Sequence, residues 1–334
     1  MLLILSHLLL GEGFWRHCDL EHKVSLRAIA VVDVHTVWVG GTEGTLAYTR
    51  NSGRNWDYYT IPDTDLLDFR DIEAFGPVVY AMSAGPGKAS RIYKTWDDGE
   101  HWRLQYTCPH EKGFLNAIAF WDDQNGVALS DPINGFHLLL RTSDGGSTWQ
   151  ELAAEGWPSM QEGEYGFAGS GSNMISSGDS DLWLVTGGNV SRLWHSSDRG
   201  NHWQVQPTAI LAGQDSTGLF SIAGRGERWV AVGGDYKNPE AIGANAMFSL
   251  DNGKTWQLAE TQPPYRSCVK FLHAPQQLTA ISVGPNGSSI STDGGVNWQA
   301  LQEEGFNALA ITPGENLVWA VGSDGRVARR YFSE

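Results

Sequence analysis

TWDDGEHW (Thr95–Trp102) is the stretch that decides the fold. Its residue types are those of a β-hairpin corner. The Asp97 side chain can accept hydrogen bonds from backbone N–H groups two or three residues on. Gly99 supplies a backbone conformation with positive φ. Trp102 begins the next strand and can pack its ring over the turn, where its indole N–H needs a partner. The pattern recurs as TRNSGRNW (Thr49–Trp56), TSDGGSTW (Thr142–Trp149), SSDRGNHW (Ser196–Trp203), SLDNGKTW (Ser249–Trp256) and STDGGVNW (Ser291–Trp298). Asp97, Asp144, Asp198, Asp251 and Asp293 therefore recur with Gly99, Gly146, Gly200, Gly253 and Gly295. The first copy carries Asn51, which can accept the same bonds. Turn chemistry accounts for every one of these residue types, so the acids are read as structural rather than as catalysts or metal ligands.

The repeat resembles the Asp-box, or BNR repeat. In families that carry it, the box lies between the third and fourth strands of a propeller blade, on the face away from the binding site. Successive box Trp residues are 46, 47, 54, 53 and 42 residues apart. A four-stranded blade needs about 40–50 residues, so each interval is one blade and two blades carry longer loops. Apolar runs bounded by Gly, Asn and Asp precede each box. In the first blade they are 26–32, 37–41 and 45–49; in the third, 115–121, 126–130 and 136–142. No long segment shows helical periodicity.

After the sixth box come three further strand signals, at 306–312, 317–323 and 326–332. GFWRHCDL (13–20) reads as an orphan fourth strand at the other end of the chain. Pairing the two closes a seventh blade and removes exposed sheet edges. The expectation is an all-β fold, a seven-bladed β-propeller, forming a single domain over 13–334, with 1–12 the remnant of a signal or leader segment.

The net charge of −15 argues against nucleic acid or an anionic membrane surface as a general partner. The repeat explains the 15 Trp and 40 Gly. Cys18, Cys108 and Cys268 are isolated, without C-x-x-C or metal spacing, and read as inert buried thiols. The opening MLLILSHLLL is too short to span a bilayer and lacks a basic start and an A-x-A cleavage site. It is a trimmed signal peptide, a lipid-facing anchor or a start within a longer leader. Each points to an exported protein without a transmembrane span, and a monomer is expected.

On a propeller, the loops that lead into the innermost strands and those joining second to third strands surround one mouth of the central channel, opposite the boxes. Loops on a rigid ring vary freely, so ligand sites gather there. Arg27, Arg70, Asn116, Arg266 and Asn307 stand at the starts of innermost strands. Three Arg around one mouth would make a cationic patch suited to an anionic ligand or acidic peptide. The plainer reading ties each Arg to a carboxylate such as Asp71 or Glu43. Other candidates on this face are Asp131 in DPINGF, Asp235 and Tyr236 in the long polar loop 233–245, and Glu164 and Tyr165 in GEYGFAGSGSN (163–173). The Gly-rich stretches suit close backbone approach to a ligand and suit ordinary turns equally. There is no phosphate-binding loop and no dinucleotide fingerprint.

FRDIEAF (69–75), SRIYKTWDDG (90–99), FWDDQNGVALSDPINGF (120–136), GEYGFAGSGSN (163–173), VGGDYKNP (232–239), PPYRSCVKF (263–271) and VGPNGSSISTDGG (283–295) together resemble one family. It comprises bacterial propeller proteins related to the plant photosystem II stability/assembly factor. The resemblance covers nearly the whole chain after about residue 14. It implies a seven-bladed propeller, usually exported, and in photosynthetic relatives an assembly factor whose Arg patch contacts a partner protein. Arg27, Arg70 and Arg266 stand where such a patch could form. The insertions in blades four and five suggest the non-photosynthetic branch.

Three functions compete. The first is a binding or assembly scaffold with no chemistry, engaging a protein partner or an anionic glycan or peptide. The second is a sialidase-type glycoside hydrolase, which would use three Arg, an acid and a Tyr–Glu pair drawn from Asp131, Glu164, Tyr165 and Tyr236. Against it, the F/Y-R-I-P signature is missing and six blades would be expected. The third is an oxidoreductase, a label common in the family. No haem, copper, iron or dinucleotide motif supports it, so no cofactor and no metal is expected.

Overall fold

The computed structural model describes residues 14–273 and 278–332. The leader expected at 1–12 lies outside the described residues. Seven antiparallel sheets form the blades of one propeller. The first blade runs Leu26–Val31, Val37–Gly41, Leu46–Thr49 and Asp57–Tyr59 from the channel outward. The second is Asp68–Phe75, Val78–Ala84, Arg91–Thr95 and Arg103–Thr107. The remaining blades start at Leu115, Met174, Thr217, Cys268 and Ala308. The sole helix among the described residues is one 3-10 turn, Gly87–Ala89.

Second strands such as VWVGG are buried throughout, because blades pack face to face on both sides of them. That explains their continuous apolar runs rather than alternation. Trp38 is fully buried, and Tyr48 stacks on it at 4.3 Å.

The last blade closes as the orphan-strand argument requires. Arg16–His17 pairs antiparallel with Val327–Tyr331, completing a sheet begun by Ala308–Ile311 and Leu317–Val321.

The boxes fold as corners, with one difference from expectation. The Asp carboxylate accepts from the N–H four residues on, as His101 N does to Asp97 Oδ1 at 2.9 Å. The hydroxyl takes the nearer donor: Gly99 N donates to Thr95 Oγ1 at 3.0 Å, and Thr95 Oγ1 donates to Asp97 Oδ1 at 2.8 Å. The Asn51 copy forms the same ring of bonds. The indole N–H groups of Trp203 and Trp256 donate to the box Gly carbonyls, at 3.1 and 3.0 Å.

Polar groups stitch the inner strands to one another. Ile118 N donates to Asp71 Oδ2 at 2.8 Å, Val269 N to Ser221 Oγ at 3.0 Å, and Asn307 Nδ2 to the Leu26 carbonyl at 2.9 Å. The three cysteines are free thiols, and burial pushes the Cys18 thiol up to about 12.

Candidate functional site: the channel mouth

Four inner strands break register at the same point. The irregularities fall between Leu26 and Ala28, Phe69 and Asp71, Leu115 and Ala117, and Leu219 and Ser221. A bulge inserts one residue and re-aims its side chain. The residues so placed are Arg27, Arg70, Asn116 and Phe220. Of the five residues expected at strand starts, Arg27, Arg70 and Asn116 sit at such a bulge, whereas Arg266 and Asn307 precede strands that pair without one.

A cavity of about 530 Å³ occupies the mouth. Arg27, Arg70, Asp131, Tyr165, Tyr236 and Asn307 line it, six of the residues picked from sequence. Asn116 lies just beneath, donating to Asp131 Oδ1 at 2.9 Å. The other three are elsewhere or differently engaged. Arg266 is buried away from the cavity, bonded to Ser289 Oγ, Asn286 Oδ1 and the Tyr265 carbonyl. It ties blade-six loops together. Glu164 is buried under Arg192, with which it forms a forked ion pair, and also accepts from Thr186 Oγ1 at 2.7 Å. Asp235 closes a local turn by accepting from Lys237 N at 3.0 Å.

The two mouth arginines differ. Arg70 Nε donates to Asp68 Oδ2 at 2.7 Å, and its Nη1 donates to the Ala168 carbonyl at 3.1 Å. Its partner is Asp68, not the Asp71 or Glu43 considered from sequence. Arg27 has no hydrogen-bond or ion-pair partner among the described residues. Burial, then the neighbouring Arg70 charge, hold its guanidinium below its ordinary value, with Asp68 and Tyr265 opposing. It remains cationic at any physiological pH.

The same cavity carries a wall of aromatic rings, of which the sequence reading picked Tyr165 and Tyr236 and missed Phe167, Phe220 and Tyr265. Phe167 stacks on Phe220 at 3.8 Å, Tyr165 meets Phe167 edge-on, and Tyr265 meets Phe220 edge-on at 4.8 Å. Phe220 could have been found by aligning LFSIAG with LRAIAV at the bulge. Burial pushes Asp131 up to about 7, against donation from the Gly166 N–H and Asn116. The Tyr165 hydroxyl donates to the Asp215 carbonyl at 2.7 Å, so no Tyr–Glu pair forms with the buried Glu164.

GEYGFAGSGSN crosses the bore instead of looping outward. Ala168 meets Arg70 of blade two, and Ser170 Oγ donates to the Ser267 carbonyl of blade six at 2.9 Å. Glu164–Tyr165 also pairs with Gly187–Gly188, which in turn extends the blade-five sheet to six strands. Gly171 is needed here: its φ is +69°, and a Cβ would sit 2.2 Å from the Asp71 carboxylate.

No protein-family model matches the chain. Among curated proteins it is 26% identical to the photosystem II assembly lipoprotein Ycf48 of a Picosynechococcus species, covering 96% of this chain and 88% of that one. It is 24% identical to the photosystem II assembly protein Ycf48 of a Synechococcus species, over 67% and 71% of the two chains. Among solved structures, YCF48 bound to D1 peptide superposes with TM-score 0.67 at 17% identity, covering 96% and 99% of the chains. YCF48 from Cyanidioschyzon merolae gives TM-score 0.67 at 13% identity, over 95% and 98%. The chain is a seven-bladed propeller related to the photosystem II assembly proteins.

Proposed function

We propose that this protein is a non-catalytic assembly scaffold that captures an anionic group of a partner polypeptide at its channel mouth. The observation that carries the reading is Arg27, a half-buried cation with no hydrogen-bond or ion-pair partner among the described residues, beside a wall of aromatic rings. Such a group is poised for a carboxylate, and the rings suit the apolar side chains next to it. Arg70, already tethered to Asp68, holds the second position. A relative of the same fold has been solved with a D1 peptide, which supports a peptide as the ligand class. The lipoprotein relative supports an exported, membrane-associated location for this chain too. Among the described residues no helix is long and apolar enough to cross a membrane.

The test is fluorescence anisotropy with a short apolar peptide carrying a free C-terminal carboxylate, beside its amidated form. The free acid should bind, and Arg27→Ala should weaken it by about ten- to a hundredfold, the scale of a charged hydrogen bond. Arg266→Ala should weaken it far less, because Arg266 faces away. Equal binding of acid and amide would sink the reading.

A further inference from the structure

Below the segment that crosses the bore, the channel opens again into a second chamber. It measures about 440 Å³, within the range of small-molecule sites of about 300–1,000 Å³. Inner strands of all seven blades line it, on the side facing the boxes. Its walls are mixed: Ile29, Val31, Ile222, Phe271, Leu309 and Ile311 supply an aliphatic part, and Ser170, Ser172 and Ser176 are among the polar groups beside it. Its charged or titratable groups are Asp71, Glu73, Lys270 and the exposed His273.

Asp71 is committed to the Ile118 N–H, at 2.8 Å. Glu73 and Lys270 are not committed. Neither side chain has a hydrogen-bond or ion-pair partner among the described residues, and they do not pair with each other. Burial and then the Asp71 charge push the Glu73 carboxyl up to about 8, with Lys270 pulling it down. One chamber, open to the channel, thus holds a carboxyl short of a cation and an ammonium short of an anion. A single added charge satisfies one and leaves the other. A ligand with both charges satisfies the pair, and buried charges are tolerated when paired.

We propose that this chamber binds a small zwitterion with an apolar body, of the aliphatic α-amino acid class. Its ammonium sits at Glu73, its carboxylate at Lys270, and its side chain against the aliphatic wall. This site is separate from the mouth and does not depend on the peptide-capture reading. The ligand's ammonium displaces a proton from Glu73, so binding releases protons below about pH 8 and tightens as pH rises from about 6 to 8.

The experiment is titration calorimetry of the full protein with L-leucine, in buffers of different ionisation enthalpy. Isoamylamine and isocaproate, each carrying one of the two charges, are the comparison probes. Leucine should bind saturably, release protons, and bind at least about tenfold tighter than either probe. Glu73→Gln and Lys270→Met should each weaken leucine by about tenfold or more, while Arg27→Ala leaves it unchanged. Isoamylamine binding as tightly as leucine would overturn the proposal. So would leucine binding that neither chamber variant alters, or no saturable leucine binding up to about 10 mM, beyond which affinity is too weak for a built site. Lys270→Met keeps the test valid if Glu73→Gln disturbs folding.

Discussion

Asp131 and Asp198 are the same residue type under opposite forces. Burial raises Asp131 to about 7, while hydrogen bonds from the His202 side chain and N–H and from Ser196 outweigh desolvation and lower Asp198 to about 2. The two shifts act on stability with opposite sign. Between about pH 4 and 7, native Asp131 holds a proton that the unfolded chain has released, so stability falls as pH rises through that window. Glu73 and Asp71, raised to about 8 and about 7, extend the same decline. Asp198 and Asp251 contribute stability above about pH 4, which is lost as pH falls toward about 2. The thermal midpoint should therefore peak on the acid side of neutrality. Calorimetry from pH 3 to 9 checks this, on the order of one scan per unit. In Asp131→Asn the decline above pH 4 should be shallower; an unchanged slope would mean that Asp131 titrates normally. At this scale the box acids were legible from sequence, because each finds its partners within four residues. Arg266 and Glu164 were not, because Ser289 and Arg192 lie far along the chain.

Elements show which glycines are fixed by turn geometry and which also by packing. Gly146 in the third box has φ +72°, and a Cβ there would lie 2.5 Å from the Tyr80 ring of the preceding blade. Gly135, at the tip of the DPINGF hairpin, has φ +86° with nothing within 4 Å. Gly135→Ala should cost about 1–2 kcal/mol from left-handed backbone alone. Gly146→Ala carries that plus overpacking, about 2–5 kcal/mol in all. Urea unfolding midpoints measure both, and equal losses would refute a packing role for the box glycine. The box is thus a blade-to-blade contact as well as a corner. The strands and corners were readable because hairpins are local and the repeat supplied six examples. The crossing segment was not. Its Gly and Ser residues look like any turn, and only the closed ring places Ala168 against Arg70 and Ser170 against Ser267.

At the scale of the whole molecule, the ring depends on a short seam between its two ends. Cys18 N donates to the Val327 carbonyl at 2.9 Å, Leu20 N to the Gly325 carbonyl at 2.8 Å, and Val327 N to Asp19 Oδ1 at 2.9 Å. Trp15 packs on Phe306 at 4.9 Å, and Leu20 is fully buried beside Trp319 and Val321. The Trp56 indole of the first box donates to the Cys18 carbonyl at 2.8 Å, so the seam also holds the neighbouring blade. Sequence arithmetic found this closure because three strands at one end lacked a fourth. The strength of the seam comes from packing that arithmetic does not see. Leu20→Ala should cost about 2–4 kcal/mol, as for a buried Leu leaving a cavity. Removing residues 1–21 should do more than add the lost contacts. It leaves Val327–Tyr331 as an unpaired edge and exposes the apolar groups under it, which invites pairing with another chain. Size-exclusion chromatography with light scattering should show the intact protein at one mass and the truncated form self-associating. Addition in trans of a peptide spanning residues 13–24 should restore the original mass and raise the thermal midpoint. A truncated form that stays monomeric and as stable as the intact chain would show that the ring closes without its outer strand.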